Sequence, residues 1–132
     1  MRAAFAIAIL FVSACGAEPV DERIQGTLTD DDRVLAVDQS RYDEHELELE
    51  EGWIVTLELE SSAFDAYVHL IDPDGRQIAE NDDARSGTTN ARIERVAPES
   101  GTYRAIANAR DATGRGAYVL HIVTAQPAGA AP

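Results

Sequence analysis

Lysine is absent from this 132-residue chain: arginine carries all of its fixed positive charge, 11 residues against 24 acidic ones, for a formal net charge of -13. That imbalance excludes nucleic acid and anionic lipid headgroups as partners, because phosphate binding needs clustered positive charge. Cations, basic proteins and neutral polymers are left. Cysteine occurs once, so no intramolecular disulfide can form, and stability has to come from a core, alone or together with a bound ion. No apolar run approaches the ~20 residues that a membrane helix needs. Catalytic signatures are missing as well. His45, His69 and His121 lack the HExxH spacing of a zinc enzyme, and there is no Gly-x-Ser-x-Gly elbow or phosphate-cradling glycine loop. Carboxylates are so abundant that nothing singles out a glycosidase-like pair. The chain is therefore expected not to be an enzyme.

What is present begins with Met1-Arg2, an apolar stretch from Ala3 to Val12, and Val12-Ser13-Ala14-Cys15, the pattern of a secretory signal peptide. The residues before the cysteine resemble a bacterial lipobox. The expectation is a signal peptide over 1–14, a lipidated Cys15 with a tether over 15–22, and an envelope protein held to the membrane through the lipid alone. Ordinary cleavage after Ala14 or Ala17 is the competing reading. Gly16 stands where an inner-membrane retention signal often has aspartate, which points to the outer membrane where the source has two. The C-terminal stretch 126–132 has no periodic pattern and reads as a disordered tail.

Between these ends, over 23–125, apolar and polar residues alternate and glycine-bearing turns interrupt them. This predicts an all-β domain, an antiparallel, jelly-roll-like β-sandwich of about eight strands. Leu47 and Leu49 share one face of their strand, and Trp53, Val55, Leu57 and Leu59 share one face of the next; Glu46, Glu48, Glu58 and Glu60 project outward. His45 follows the phase of Leu47, while His69 follows the outward phase. Tyr67 is also outward, which makes it the candidate for a binding surface.

Phe64 to Asp83 reads as a hairpin. Phe64, Ala66, Val68 and Leu70 fall on one side, Asp72-Pro73-Asp74-Gly75 supplies the turn, and acid collects at the open end. If Asp72 pairs with Gly75, Asp65 faces Asp82; a shifted turn moves its partner to Ala84. Like charges facing across a strand pair are destabilising, so a positive group is expected there, either a cation or an arginine such as Arg85 or Arg92. Calcium takes six to eight oxygen ligands, and Asp65, Asn81, Asp82 and Asp83, with Asp43 from a neighbouring strand, are the candidate metal set. The spacing is not that of an EF-hand.

Gly26-Thr-Leu-Thr, Tyr42-Asp43, Glu51-Gly52, Ser62-Ala-Phe64-Asp65-Ala-Tyr67, Asp72-Pro-Asp-Gly75, Glu80-Asn-Asp-Asp83, Asn90-Ala-Arg-Ile93 and Ala97-Pro-Glu-Ser-Gly101-Thr-Tyr103 occur in that order. Together they resemble the bacterial pre-peptidase C-terminal domain family. The resemblance implies a compact β-sandwich, a non-catalytic accessory module found beside secreted peptidases. Some relatives bind matrix polymers, with calcium tightening the domain or its linker. The linker motif Glu-Pro-Asn-Asp is replaced here by Glu18-Pro19-Val20-Asp21, which lacks its asparagine. The expected function is a binding or structural module of the cell envelope adhering to a protein or polysaccharide. The alternative is an accessory or inhibitor-like partner of a separately encoded secreted peptidase.

Overall fold

The computed structural model describes residues 17–82 and 89–127. Residues 1–14, expected to be a signal peptide, and Cys15, Gly16, Asp83, Arg85 and residues 128–132 lie outside the described residues. Nine strands form two antiparallel sheets: β1 (Asp21–Leu28), β2 (Arg33–Val34), β3 (Arg41–Leu49), β4 (Ile54–Glu60), β5 (Ala66–Ile71), β6 (Gln77–Asn81), β7 (Ala91–Val96), β8 (Gly101–Ala109) and β9 (Gly116–Ala125). One sheet has the order β1-β9-β4-β7 and the other β2-β3-β8-β5-β6. This is the expected β-sandwich. No helix among the described residues is long and apolar enough to cross a membrane.

Period-2 alternation determines the core. Leu47 and Leu49 from β3, Val55, Leu57 and Leu59 from β4, Val68 and Leu70 from β5, Tyr103, Ala105 and Ala107 from β8, and Tyr118, Leu120 and Ile122 from β9 are all buried between the sheets. Burying a large apolar side chain contributes about 1.5–3 kcal/mol. The fully buried Tyr103 donates its hydroxyl to the Glu99 carbonyl (2.6 Å) and accepts from the Glu99 amide (3.2 Å), which closes the turn into β8.

Three features depart from the sequence reading or decide between its alternatives. The segment read as a free tether is fastened: β1 starts at Asp21, and Val20 and Thr124 exchange two hydrogen bonds of 2.9 Å. A two-residue strand, β2, follows the acidic loop after β1 and pairs with the start of β3. The hairpin register is also shifted. Ile71 pairs with Gln77 but Leu70 pairs with Ala79, so Ile78 is an extra residue, a β-bulge, and its carbonyl accepts from the Arg95 guanidinium of β7. Beyond the bulge Val68 faces Asn81, so of the two registers expected from the sequence the shifted-turn one forms, with Asp82 level with Tyr67.

Candidate functional site

The acidic hairpin mouth does not gather its residues at one point. Asn81 is the last residue of β6 and Asp82 follows it outside the strand, and the two side chains engage different partners. Asn81 turns toward the other sheet, where Oδ1 accepts the Arg92 backbone N–H (3.1 Å). Asp82 turns outward onto the Arg110 guanidinium, an ion pair that raises the arginine's pKa. Asp65 lies at the start of β5, its carbonyl accepting the Arg110 backbone N–H at 2.8 Å. Asp43 sits inside the sandwich edge and accepts the Tyr118 hydroxyl (2.6 Å). Thus the positive group beside Asp82 is Arg110, which follows β8 and on which Asp65 also acts, while Asn81 and Asp43 engage separate partners.

Asp43 belongs to a different constellation. His45 Nε2 lies 3.0 Å from the Tyr118 hydroxyl, which donates onward to Asp43. The tyrosine ring reaches that far because residue 26, across the β1–β9 pair, is glycine: a Cβ there would stand 2.4 Å from the ring. Burial pulls His45 below the ordinary histidine range. Burial, helped by neighbouring Asp32 and opposed by the Tyr118 hydroxyl, holds Asp43 above the ordinary carboxylate range. Burial and then Asp43 drive the Tyr118 pKa upward, which makes the phenol a poorer acid. Chemically the trio is a polar clasp between the sheets.

A second carboxylate cluster, missed in the sequence, joins Asp72 and Asp74 of the turn to Glu99, their oxygens all within 4.8 Å of one another. Asp72 Oδ1 accepts the Asp74 and Arg76 amides (3.0 and 2.8 Å), which fixes the turn. Arg76 lies 3.6 Å from Asp72 and 3.2 Å from Asp74 and supplies positive charge. Burial first, then Asp74 and Asp72, hold the Glu99 carboxyl above its ordinary range.

Two of the concave surfaces contrast most in charge. The first, about 1000 Å³, runs between the N-terminal segment and β3 and is lined by Glu18, Glu22, Glu46, Glu48 and Glu50 beside Val20 and Thr102. No arginine or histidine is among the described residues that line it. It exists because β3 alternates outward glutamates with inward leucines, and because the Ala17 amide donates to Glu50 Oε2 (2.9 Å), pinning the segment across it.

The second cleft, about 620 Å³, lies on the outer face of the five-stranded sheet beneath a strap, residues 35–40, that connects β2 to β3. Asn108 of β8 has the outward phase yet is fully buried, because the strap covers it. Its Nδ2 donates to Ser40 Oγ (3.0 Å) and to the Arg41 carbonyl (2.6 Å), so its Oδ1 faces His69 Nε2 (3.1 Å) and that nitrogen carries a proton. His69 is buried by the same cover, with Nδ1 2.7 Å from the Gln77 side chain. Tyr67 is half-buried, its ring tilted against His69 with centroids 4.3 Å apart. Its hydroxyl donates to Glu80, the leading cause of a pKa pushed up to about 12.

With this geometry in hand, comparison with solved structures shows where else it occurs. A pre-peptidase C-terminal domain of a collagenase from Bacillus anthracis superposes with a TM-score of 0.55 at 15% identity, covering 78% of this chain and 89% of that one. This chain shares that domain's fold. PliG of Aeromonas hydrophila, a periplasmic inhibitor of g-type lysozyme, gives a TM-score of 0.55 at 17% identity over 83% of this chain and 89% of that one. Its counterpart from Salmonella Typhimurium gives 0.52 at 16% identity, covering 79% and 86%. No protein-family model matches the sequence, and neither does any curated protein. At these identities the likeness concerns the sandwich alone, and the pre-peptidase-like fold expected from the sequence motifs is the one found.

Proposed function

We propose that this chain is an exported, non-catalytic module of the bacterial cell envelope that docks on a cationic protein in the manner of an enzyme inhibitor. The observation that carries the reading is the glutamate-lined groove: five carboxylates converge with no basic side chain among them. Such a concave, single-sign surface focuses the field, raising on-rates for an oppositely charged partner by 10 to 10³. Support for an inhibitor-like role comes from the neighbours, two periplasmic inhibitors of g-type lysozyme and an accessory domain of a collagenase. A wall-degrading glycosidase is therefore the first target class to test, and a secreted peptidase the second. Export accords with the N-terminal signal pattern, and anchoring through Cys15 is part of the proposal. Metabolic labelling with a palmitate analogue that leaves Cys15 unmarked removes the anchor but not the docking role. Calcium is proposed only as a stabiliser.

The test is association kinetics of the purified protein with g-type lysozyme, in parallel with inhibition of peptidoglycan hydrolysis. Between about 0.05 and 0.5 M salt the on-rate is expected to fall at least tenfold as the Debye length shrinks. A Glu18→Gln, Glu22→Gln, Glu46→Gln variant is expected to remove most of that salt dependence. An on-rate indifferent both to salt and to this variant, or no association with either enzyme class, refutes the reading.

A further inference from the structure

The cleft beneath the strap differs in kind from the glutamate groove and shares no lining residue with it. We propose that it is a binding site for a neutral saccharide. The floor is apolar: Ile106 is buried and Ile71 half-buried on adjacent strands, and the Tyr67 and His69 rings stand beside them. At the lip, Val37 of the strap is 87% exposed, a large apolar side chain held out with little cover. Volumes of about 300–1,000 Å³ with an apolar lining and a few placed polar groups are typical of small-ligand sites, and this cleft of about 620 Å³ falls among them.

The rim selects the ligand class by charge. Glu44 and Glu80 line it together with Arg104 and Arg110, and Asp38 adds a third carboxylate from the strap. In a chain of net charge -13 this balance is local and unusual. An anion would meet three carboxylates and a cation two guanidinium groups. A neutral ligand meets neither penalty, and a hydroxyl group, being both donor and acceptor, satisfies a rim of mixed sign as no single-sign group can. The rim groups are also held in place. Arg104 Nη1 lies 3.1 Å from Glu44, and Glu80 accepts from Tyr67. A guanidinium carries five N–H donors and a carboxylate about four lone-pair sites, so these internal bonds leave further capacity on the same groups. A pyranose offers the matching pattern: C–H faces for the isoleucine floor and aromatic rings, and equatorial hydroxyls for the rim.

The experiment is an amide-detected NMR titration of the whole protein with cellotetraose and, separately, chitotetraose, both neutral. At least one is expected to shift the amides of Tyr67, His69, Arg104 and Ile106, saturating at millimolar concentration or below. Arg104→Ala and Val37→Ser, both changed at the surface, are expected to weaken that saturation at least fivefold while leaving the remaining spectrum in place. Glu48→Gln, in the other groove, is expected to leave it unchanged. No response to either sugar at ten millimolar, a response mapping outside the cleft, or an equal response to a neutral tetrapeptide overturns the assignment. Loss of enzyme docking by the groove variant does not bear on it.

Discussion

Replacing Asn108 with leucine tests whether the strap is held by one buried amide. The side chain is fully buried and makes three hydrogen bonds, to Ser40 Oγ, the Arg41 carbonyl and His69 Nε2. Leucine has similar length and branching, so the cavity contribution is small and the loss is mainly polar. Each intramolecular hydrogen bond contributes about 0.5–1.5 kcal/mol net, and a buried group left without its partner costs about 1–3 kcal/mol. The Arg41 carbonyl and the His69 N–H are both left behind, so the expected loss is about 3–4 kcal/mol. For a domain whose total stability is typically about 5–15 kcal/mol, that is a large fraction. Urea unfolding with linear extrapolation measures it. Ser40→Ala removes one of these bonds and also the Ser40 hydroxyl's bond to Asp38 (2.6 Å), so it is expected to cost about 1–2 kcal/mol in the natural background and about 1 kcal/mol less in the Asn108→Leu background, which is the coupling a double-mutant cycle detects. Hydrogen exchange of amides 35–40 should accelerate in the same variant. A loss under about 1 kcal/mol, additive with Ser40→Ala and without effect on strap exchange, refutes the reasoning.

The clasp between the sheets makes a pH prediction with two opposed signs. His45 has its pKa lowered by burial, so its contribution is complete above the ordinary 6.5 and is lost as pH falls through its folded value. Asp43, raised by burial, contributes fully below the ordinary 3.8 and loses that contribution as pH rises through its folded value. Asp43→Asn, which keeps an acceptor for Tyr118, should therefore gain stability relative to the natural chain between pH 4 and pH 7, measured as the difference of urea midpoints; a gain in the opposite direction sinks the assignment. Gly26→Ala puts a Cβ at 2.4 Å from the Tyr118 ring, and is expected to cost about 1–3 kcal/mol by overpacking; an unchanged melting midpoint contradicts the packing. Arg110, Arg92 and Tyr118 already engage Asp82, Asn81 and Asp43, so calcium, proposed as a stabiliser, is expected to raise the melting midpoint by only a few degrees at millimolar concentration, a rise that Asp82→Ala abolishes; no rise removes calcium from the proposal.

Alternation made the inner faces legible, because a strand with one buried face repeats every second residue. The buried Leu47 and Leu49, and Val55, Leu57 and Leu59, follow it without exception. The same period says nothing about partners. That β3 and β4, one turn apart, join different sheets depends on packing between distant segments. His69 shows the limit most plainly: its phase is outward, yet it is buried, because the cover comes from a strap some thirty residues earlier. The local hint of that cover was the apolar run Leu35-Ala36-Val37 in a connection between strands. Likewise Asp82 needed a positive partner by a rule of strand pairing, but nearness in sequence favoured Arg85 or Arg92, whereas β5–β8 pairing delivers Arg110. The bulge at Ile78 decided between the two registers that the turn had left open, in favour of the shifted one.

The distribution of arginine explains why two concave surfaces of one small domain differ so sharply. Arg33 and Arg104 meet Glu44, Arg76 meets Asp72 and Asp74, Arg92 meets Glu58 and Glu94, Arg110 meets Asp82, and Arg115 meets Asp30. Most of these pairs are exposed and contribute little to stability individually, about 0–1 kcal/mol. Their larger effect is on where the negative charge is left uncompensated. No arginine is among the described residues lining the groove of Glu18, Glu22, Glu46 and Glu50, and Arg104, opposite Glu46 across the β3–β8 pair, turns to Glu44, so the excess of acid concentrates there, while the cleft under the strap stays close to balance. Salt should therefore act on the two surfaces unequally. Screening weakens whatever the groove attracts over a distance of several ångströms, but it leaves short-range hydroxyl contacts in the cleft nearly untouched. A protein partner lost at high salt together with a saccharide retained at high salt would separate the two sites in a single sample, without any substitution.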